Sequence, residues 1–378
     1  MKLIKITIFS FLFIGLTAFT TKTSEKETAQ PLKKQQTIKV ALLLDTSNSM
    51  DGLINQAKAQ LWEIVNELSY AKCGNSKPNL QIALYEYGND GLSSRNGYIR
   101  RVLRFSSDLD EISERLFSLT TNGGSEFCGT VIQTSLDELE WGKNEDDLKM
   151  IFIAGNEPFT QGKINYVDAV VNAKEKDVVV NTIFCGDYNN GISGMWQDGA
   201  RRGDGDYMTI NHNKKVVHIV TPYDDEIIIL NKKLNKTYIY YGDVGYSKYQ
   251  SQAKEDLNAE SLDEVVVVKR AVTKSSRLYN NSSWDLVDAE KDKDFKYSKL
   301  KKKQLPKELR NKSTEEIKKY VTEKSNERKE IQQKIQELNK KRRDYVANKQ
   351  RENSTKDQLE SVMIQAIKKQ AKKKNYTW

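Results

Sequence analysis

Residues 38–49 read Ile-Lys-Val-Ala-Leu-Leu-Leu-Asp-Thr-Ser-Asn-Ser. From Ile38 to Leu44 every position but Lys39 is apolar. A run this short and without alternation fits a strand covered on both faces in a parallel sheet, because a strand with one wet face reads apolar and polar by turns. The run stops at Asp45 and gives way to Thr46, Ser47, Asn48 and Ser49, all with oxygen-bearing side chains.

Downstream, apolar runs at 81–87, 150–154, 178–185 and 216–220 predict further strands. Helical spacing appears at 54–68, 109–119, 131–139, 165–174 and 226–236. Alternation on this scale predicts an α/β fold, a doubly wound and mostly parallel sheet with helices on both faces. Ligands of such sheets sit beyond the carboxyl ends of the strands, where the strand order reverses. Asp45 stands in such a place.

Composition divides the 378-residue chain unevenly. Residues 1–20 carry Lys2 and Lys5 ahead of an apolar run from Ile6 to Phe19, which predicts an export leader and a place in a bacterial periplasm or cell envelope. The run is shorter than the ~20 residues of a membrane span, so anchoring is expected only if the leader stays uncleaved. Residues 21–36 read as a linker, 37–243 as the α/β domain and 244–378 as a charged helical region. The net charge of +9 belongs to the end of the chain, where residues 291–378 hold 28 Lys and Arg against 13 Asp and Glu. A basic face suits an anionic envelope surface, with a merely solvated helix as the alternative.

Within that region Ser313 and Glu316 form a capping box. Ile317, Val321, Ile331, Ile335, Leu338 and Tyr345 then follow a four-three spacing that predicts one long, coiled-coil-like helix. Lys324, Arg328 and Arg342 interrupt its seam. A second cap, Thr355 with Gln358, opens a shorter helix whose apolar positions are Leu359, Met363, Ala366 and Ile367. Together they predict an antiparallel hairpin, closed on itself or on the α/β domain. The four valines at 265–268 are read as helix because their flanks are helical in composition.

Asp45, Ser47 and Ser49 set one carboxylate and two hydroxyls alternately along a turn, so that their oxygens can converge on one point. Hard oxygen donors suit Mg²⁺, with Mn²⁺ or Ca²⁺ as alternatives, rather than zinc or copper. The pattern resembles the metal-ion-dependent adhesion site of von Willebrand factor A domains, and the resemblance extends over about residues 37–243. It implies a non-enzymatic binding protein whose divalent cation leaves a position open for an acidic side chain of a protein partner. It also implies a hydroxyl from a second loop. In Thr121-Asn122-Gly123-Gly124-Ser125-Glu126 that ligand is matched by Ser125, the glycines allow close backbone approach, and Glu126 adds a carboxylate beside the site. The expected metal ligands are thus Asp45, Ser47, Ser49 and Ser125. The family's Asp at the end of the fourth strand has no counterpart, because Ala154-Gly155-Asn156-Glu157-Pro158 puts Gly155 there. Asn156, Glu157 or Asp187 would have to supply a substitute oxygen.

Cys73, Cys128 and Cys185 are too few for a disulfide scaffold and lack zinc spacing. Cys128 follows the Ser125 loop and Cys185 ends a strand, so a disulfide between them is expected, with buried thiols as the alternative. Residues 186–200, rich in glycine and containing Trp196, read as a loop that frames the ligand face or covers the core. Catalysis is poorly supplied. Ser47 occupies the place of the second Asp of aspartate-dependent phosphatases, no Lys precedes Thr130 in the 124–130 stretch, and the chain has only His212 and His218. Nucleic acid is disfavoured by the leader and by the lack of aromatic residues interleaved with the basic ones. The competing function is a metal-free scaffold acting through the basic hairpin at the cell envelope.

Overall fold

The computed structural model describes residues 35–74, 76–213, 218–352 and 359–378, and residues 35–378 make one compact unit. The expected leader at 1–20, the linker as far as residue 34, and the cap pair Thr355 and Gln358 lie outside the described residues. In chain order the first elements are β1 (Thr37–Asp45), α1 (Asp51–Ser69), β2 (Lys72–Cys73), β3 (Asn79–Tyr87), β4 (Ile99–Ser106), α2 (Leu109–Phe117), α3 (Cys128–Glu138), β5 (Leu148–Gly155), α4 (Tyr166–Glu175) and β6 (Val179–Cys185). There follow α5 (Tyr188–Ser193), α6 (Trp196–Arg202), β7 (Asp204–Ile210), α7 (Asp224–Asn235), α8 (Gly245–Leu262), α9 (Glu264–Lys274), α10 (Leu286–Ala289), α11 (Thr314–Glu352), α12 (Leu359–Lys373) and β8 (Tyr376–Thr377).

The main sheet has the order β4-β3-β1-β5-β6-β7, parallel except for the antiparallel edge strand β4. β1 is apolar throughout because its residues feed two cores. Val40, Leu42 and Leu44 enter one, Ala41 and Leu43 the other. β5 divides likewise, with Met150 and Phe152 against Ile151 and Ile153. From β1 the chain moves out to β3 and β4, then returns to β5 on β1's other side. The reversal of strand order therefore falls between β1 and β5, and Asp45 ends β1 at that crevice.

Two strands differ from expectation. Residues 218–220 carry no strand and 216–217 lie outside the described residues. The sixth strand of the main sheet is instead β7, whose Asp-Gly-Asp-Tyr-Met-Thr-Ile sequence has no apolar run. β4, with Arg100, Arg101 and Arg104, escapes a hydrophobic reading because only Ile99 and Leu103 of its residues are buried, so it needs no continuous apolar run. The 186–200 stretch is not a loop but holds two short helices, α5 and α6, and its Trp196 is wholly buried. The three cysteines are free thiols, so the expected Cys128–Cys185 bridge is absent. Both are buried, and Cys128 Sγ faces the Tyr87 hydroxyl at 3.9 Å.

Most helices after Gly242 share the first core, while α10 and the start of α11 close a smaller cluster of their own around Leu286, Leu305 and Val321. α8 packs on α2, α9 on α1, α11 along α7 and α9, and α12 on α1 and β7, while β8 pairs with β2. Ser313 and Glu316 exchange capping hydrogen bonds of 2.7 and 3.2 Å at the start of α11. Two of the charged residues that break its apolar seam turn inward, where Arg328 meets Asp285 at 2.6 Å and Arg342 meets Asp224 at 3.1 Å. The valines at 265–268 are helical, in α9. No helix among the described residues is long and apolar enough to cross a membrane.

Candidate functional site

The geometry of the Asp45 turn follows from its sequence. Asp45 Oδ1 accepts the backbone N–H of Ser47 at 2.8 Å, which bends the chain out of the sheet and into a 3₁₀ turn, Asn48–Met50, ahead of α1. The other carboxylate oxygen, Oδ2, is buried and has no hydrogen-bond partner, and neither has Ser47 Oγ. Ser49 is exposed on the 3₁₀ turn, and its Oγ accepts from Asn156 Nδ2 at 3.2 Å. Asn156 Oδ1 is a third buried oxygen without a partner. An interior oxygen that has lost water and gained no donor is costly and rare. Here three of them cluster around one strand end, and all are hard donors.

The second loop is tied to this turn by its backbone. Asn122 N–H donates to Thr46 O at 3.0 Å, Asn89 Nδ2 to Thr120 O at 2.9 Å, and Asp90 N–H to Gly123 O. Ser125, half-buried, lies between Gly124, which packs against the Gly88 carbonyl, and Glu126, which is 6 % exposed. Gly88 has a left-handed φ of 77°, and a Cβ on it would lie 2.9 Å from Asp45 Oδ1 and 2.9 Å from Glu126 Cγ. Only glycine leaves room for the two acidic side chains to flank one backbone position.

The electrostatics are those of acids crowded together. Burial pushes the Asp45 carboxyl up to about 7, opposed by the N–H and the nearby hydroxyl of Ser47 and by the Asn156 N–H, while the charge of Glu157 adds to the rise. Burial also pushes Glu126 up to about 7, reinforced by the charges of Asp45 and Glu157. Among the described residues no three His, Cys, Asp or Glu side chains are grouped so as to hold a metal ion. A cation here would have to be held largely by hydroxyl and amide oxygens.

Gly155 stands at the site, as the sequence placed it, and the structure gives the reason that it is glycine. A Cβ would lie 2.5 Å from Tyr87 Oη and 2.9 Å from Asp45 Oδ2. The Tyr87 hydroxyl, donating to Ala154 O at 3.0 Å, fills the volume a larger side chain would need. Of the three substitutes considered, Asp187 is spent as the cap of α5, accepting from Asn189 and Asn190 N–H. Glu157 is half-buried beside the site, and Asn156 brings its orphaned oxygen. Sequence reasoning missed Tyr87 and Gly88. The one signal was a Tyr-Gly pair closing a strand next to the Asp45 strand.

Residues 39–196 match the family model described as von Willebrand factor type A domain. Domains of this family typically mediate protein interactions, are generally non-enzymatic and often carry a divalent-cation site. No curated protein matches the chain. Among solved structures it resembles a conserved hypothetical protein, BatB, from Bacteroides thetaiotaomicron, with 19 % identity over 46 % of this chain and 90 % of that one and a TM-score of 0.35. An aerotolerance-related membrane protein from Bacteroides fragilis shares 18 % identity over 47 % and 93 % of the two chains, with a TM-score of 0.32. The SpRpn10 VWA domain shares 15 % over 48 % and 100 %, with a TM-score of 0.35.

Proposed function

Since residues 39–196 match the von Willebrand factor type A domain model, we propose that this protein is an exported, non-enzymatic binding module that engages a protein partner through a divalent cation. The observation that carries the reading is the set of buried oxygens without hydrogen-bond partners, Asp45 Oδ2, Ser47 Oγ and Asn156 Oδ1. Asp45, Ser47, Ser49 and Ser125 would hold the ion, and Asn156 would take the role of the acid that Gly155 cannot carry. Mg²⁺ suits hard oxygens that include one or two carboxylates, and it keeps waters that a partner's acidic side chain can displace. When bound, the ion supplies a positive charge at the rim of the sheet. The protein's own residues fix where that charge sits and exclude water from behind it. An envelope location rests on the leader-like sequence of residues 1–20.

The competing scaffold reading draws less support, because the basic side chains of α11 and α12 are partly occupied within the molecule. Lys368 pairs with Glu67, Lys369 with Asp206, Lys374 with Asp177, and Arg328 and Arg342 are buried.

Isothermal titration with Mg²⁺ and with Mn²⁺ tests the cation. The wild-type chain is expected to give a saturable binding heat that Asp45→Ala abolishes, and equal heats from the two proteins would discard the site. Asp45→Asn gives a second expected result. Its amide removes a buried charge with one unsatisfied oxygen, so in chelator at pH 8 the variant should melt at a higher temperature than wild type, and Mg²⁺ should no longer raise that temperature. A melting temperature that falls in chelator yet still responds to Mg²⁺ would contradict this.

A further inference from the structure

The acid missing at position 155 leaves the cation proposed above short of negative charge from the β5 side. On the opposite side stands Glu126, which neither the Asp-x-Ser-x-Ser string nor the hydroxyl of Ser125 requires. It is a charged side chain with only 6 % of its surface exposed, and no ion pair involving it is present among the described residues. Its Cγ and Oε1 lie 2.9 and 3.6 Å from the point where a Cβ on Gly88 would sit, and Asp45 Oδ1 lies 2.9 Å from that same point. Two carboxylates thus share one small space, beside a buried Asp45 Oδ2 that completes no hydrogen bond and a Ser47 hydroxyl close enough to favour the charged form of both acids. Burial of a carboxylate without a cation is expensive, and a second one at such range adds repulsion that a proton or a bound cation relieves.

We propose that Glu126 is an internal ligand of the cation, restoring from the second loop the carboxylate that Gly155 leaves out at the end of β5. This inference rests on the cation reading above. Its consequence concerns the partner. With Asp45 and Glu126 both ionised, a divalent ion is neutralised within the chain, so a partner's acidic side chain that displaces a water gains less from the ion than one that takes Glu126's place. Glu126 thereby sets two properties in opposition, strengthening the hold on the ion while competing for the position that a partner would use. Glu157, half-buried nearby, adds its negative charge to that of Asp45 and Glu126.

The test compares wild type, Glu126→Gln and Asp45→Ala as full chains. Titration calorimetry measures Mn²⁺ affinity, and the paramagnetic relaxation of water protons reports the waters on bound Mn²⁺. Glu126→Gln keeps the shape and one oxygen, and its expected effect is a loss of Mn²⁺ affinity of at least tenfold together with faster water relaxation per bound ion, as water enters the vacated position. Unchanged affinity and unchanged relaxation in Glu126→Gln, with wild type binding and Asp45→Ala not, would overturn the role of Glu126 and leave the cation reading intact. Absence of Mn²⁺ binding by wild type would overturn both. Circular dichroism melts of each variant establish that all three are folded, and Glu126→Asp, which keeps the charge on a shorter arm, is expected to retain more affinity than the Gln variant.

Discussion

Asp285→Ala is expected to lower the free energy of unfolding by about 3–5 kcal/mol, the range found when one partner of a buried ion pair is removed. Arg328 reaches Asp285 from the long helix α11 with bonds of 2.6 and 3.2 Å, and both side chains are buried. The same carboxylate accepts the N–H of Ile239 at 2.7 Å and caps α10 through the N–H of Asp288 at 3.1 Å. Its loss therefore strands a guanidinium that is stacked over Tyr238 at 4.0 Å and leaves two backbone donors empty. Urea unfolding at neutral pH measures the change. The double variant Asp285→Ala/Arg328→Met removes the stranded charge as well, and part of the loss should return. A single variant within about 1 kcal/mol of wild type would show that Asp288, 3.4 Å from Arg328, carries the charge alone.

Restoring the family's acid by Gly155→Asp is expected to damage the protein rather than improve its site. The new Cβ meets Tyr87 Oη at 2.5 Å and Asp45 Oδ2 at 2.9 Å, distances at which something must move. Overpacking costs about 1–3 kcal/mol, and the carboxylate would be buried against the Asp45 carboxyl, which adds to it. Urea unfolding should show this loss in chelator, with Mg²⁺ affinity no tighter than wild type. Tyr87→Phe in the same chain removes the clashing oxygen and should recover part of the stability. A Gly155→Asp protein as stable as wild type, with tighter Mg²⁺ binding, would show that the Tyr87 hydroxyl yields freely.

How much of this was legible beforehand depends on whether a residue's role is set by its chain neighbours or by distant ones. β1 announced itself because a strand covered on both faces must be apolar at consecutive positions, and the capping box at Ser313 because its partners are three residues apart. β4 and β7 gave no such signal, since both are only partly covered, so neither needs an apolar run. Arg328 and Arg342 read as flaws in an apolar seam. They are its anchors, because their acids lie 43 and 118 residues away in the chain. Likewise the composition changes after Gly242 while much of the packing does not, α8, α9, α12 and the later part of α11 sharing the core of the sheet.

The sequence by itself determined the parallel sheet and the turn that follows its first strand, where Asp45 accepts the Ser47 N–H. These are short-range consequences of hydrophobic patterning and side-chain-to-backbone bonding. Only the tertiary structure decided that Tyr87 closes the place of the missing acid, that Glu126 lies against Asp45, and that Asn156 turns an unpaired oxygen inward. Those relations depend on how β1, β3 and β5 are set side by side and how closely Gly88 lets the second loop approach, and no periodicity in a single chain encodes the distance between strands brought together from far apart.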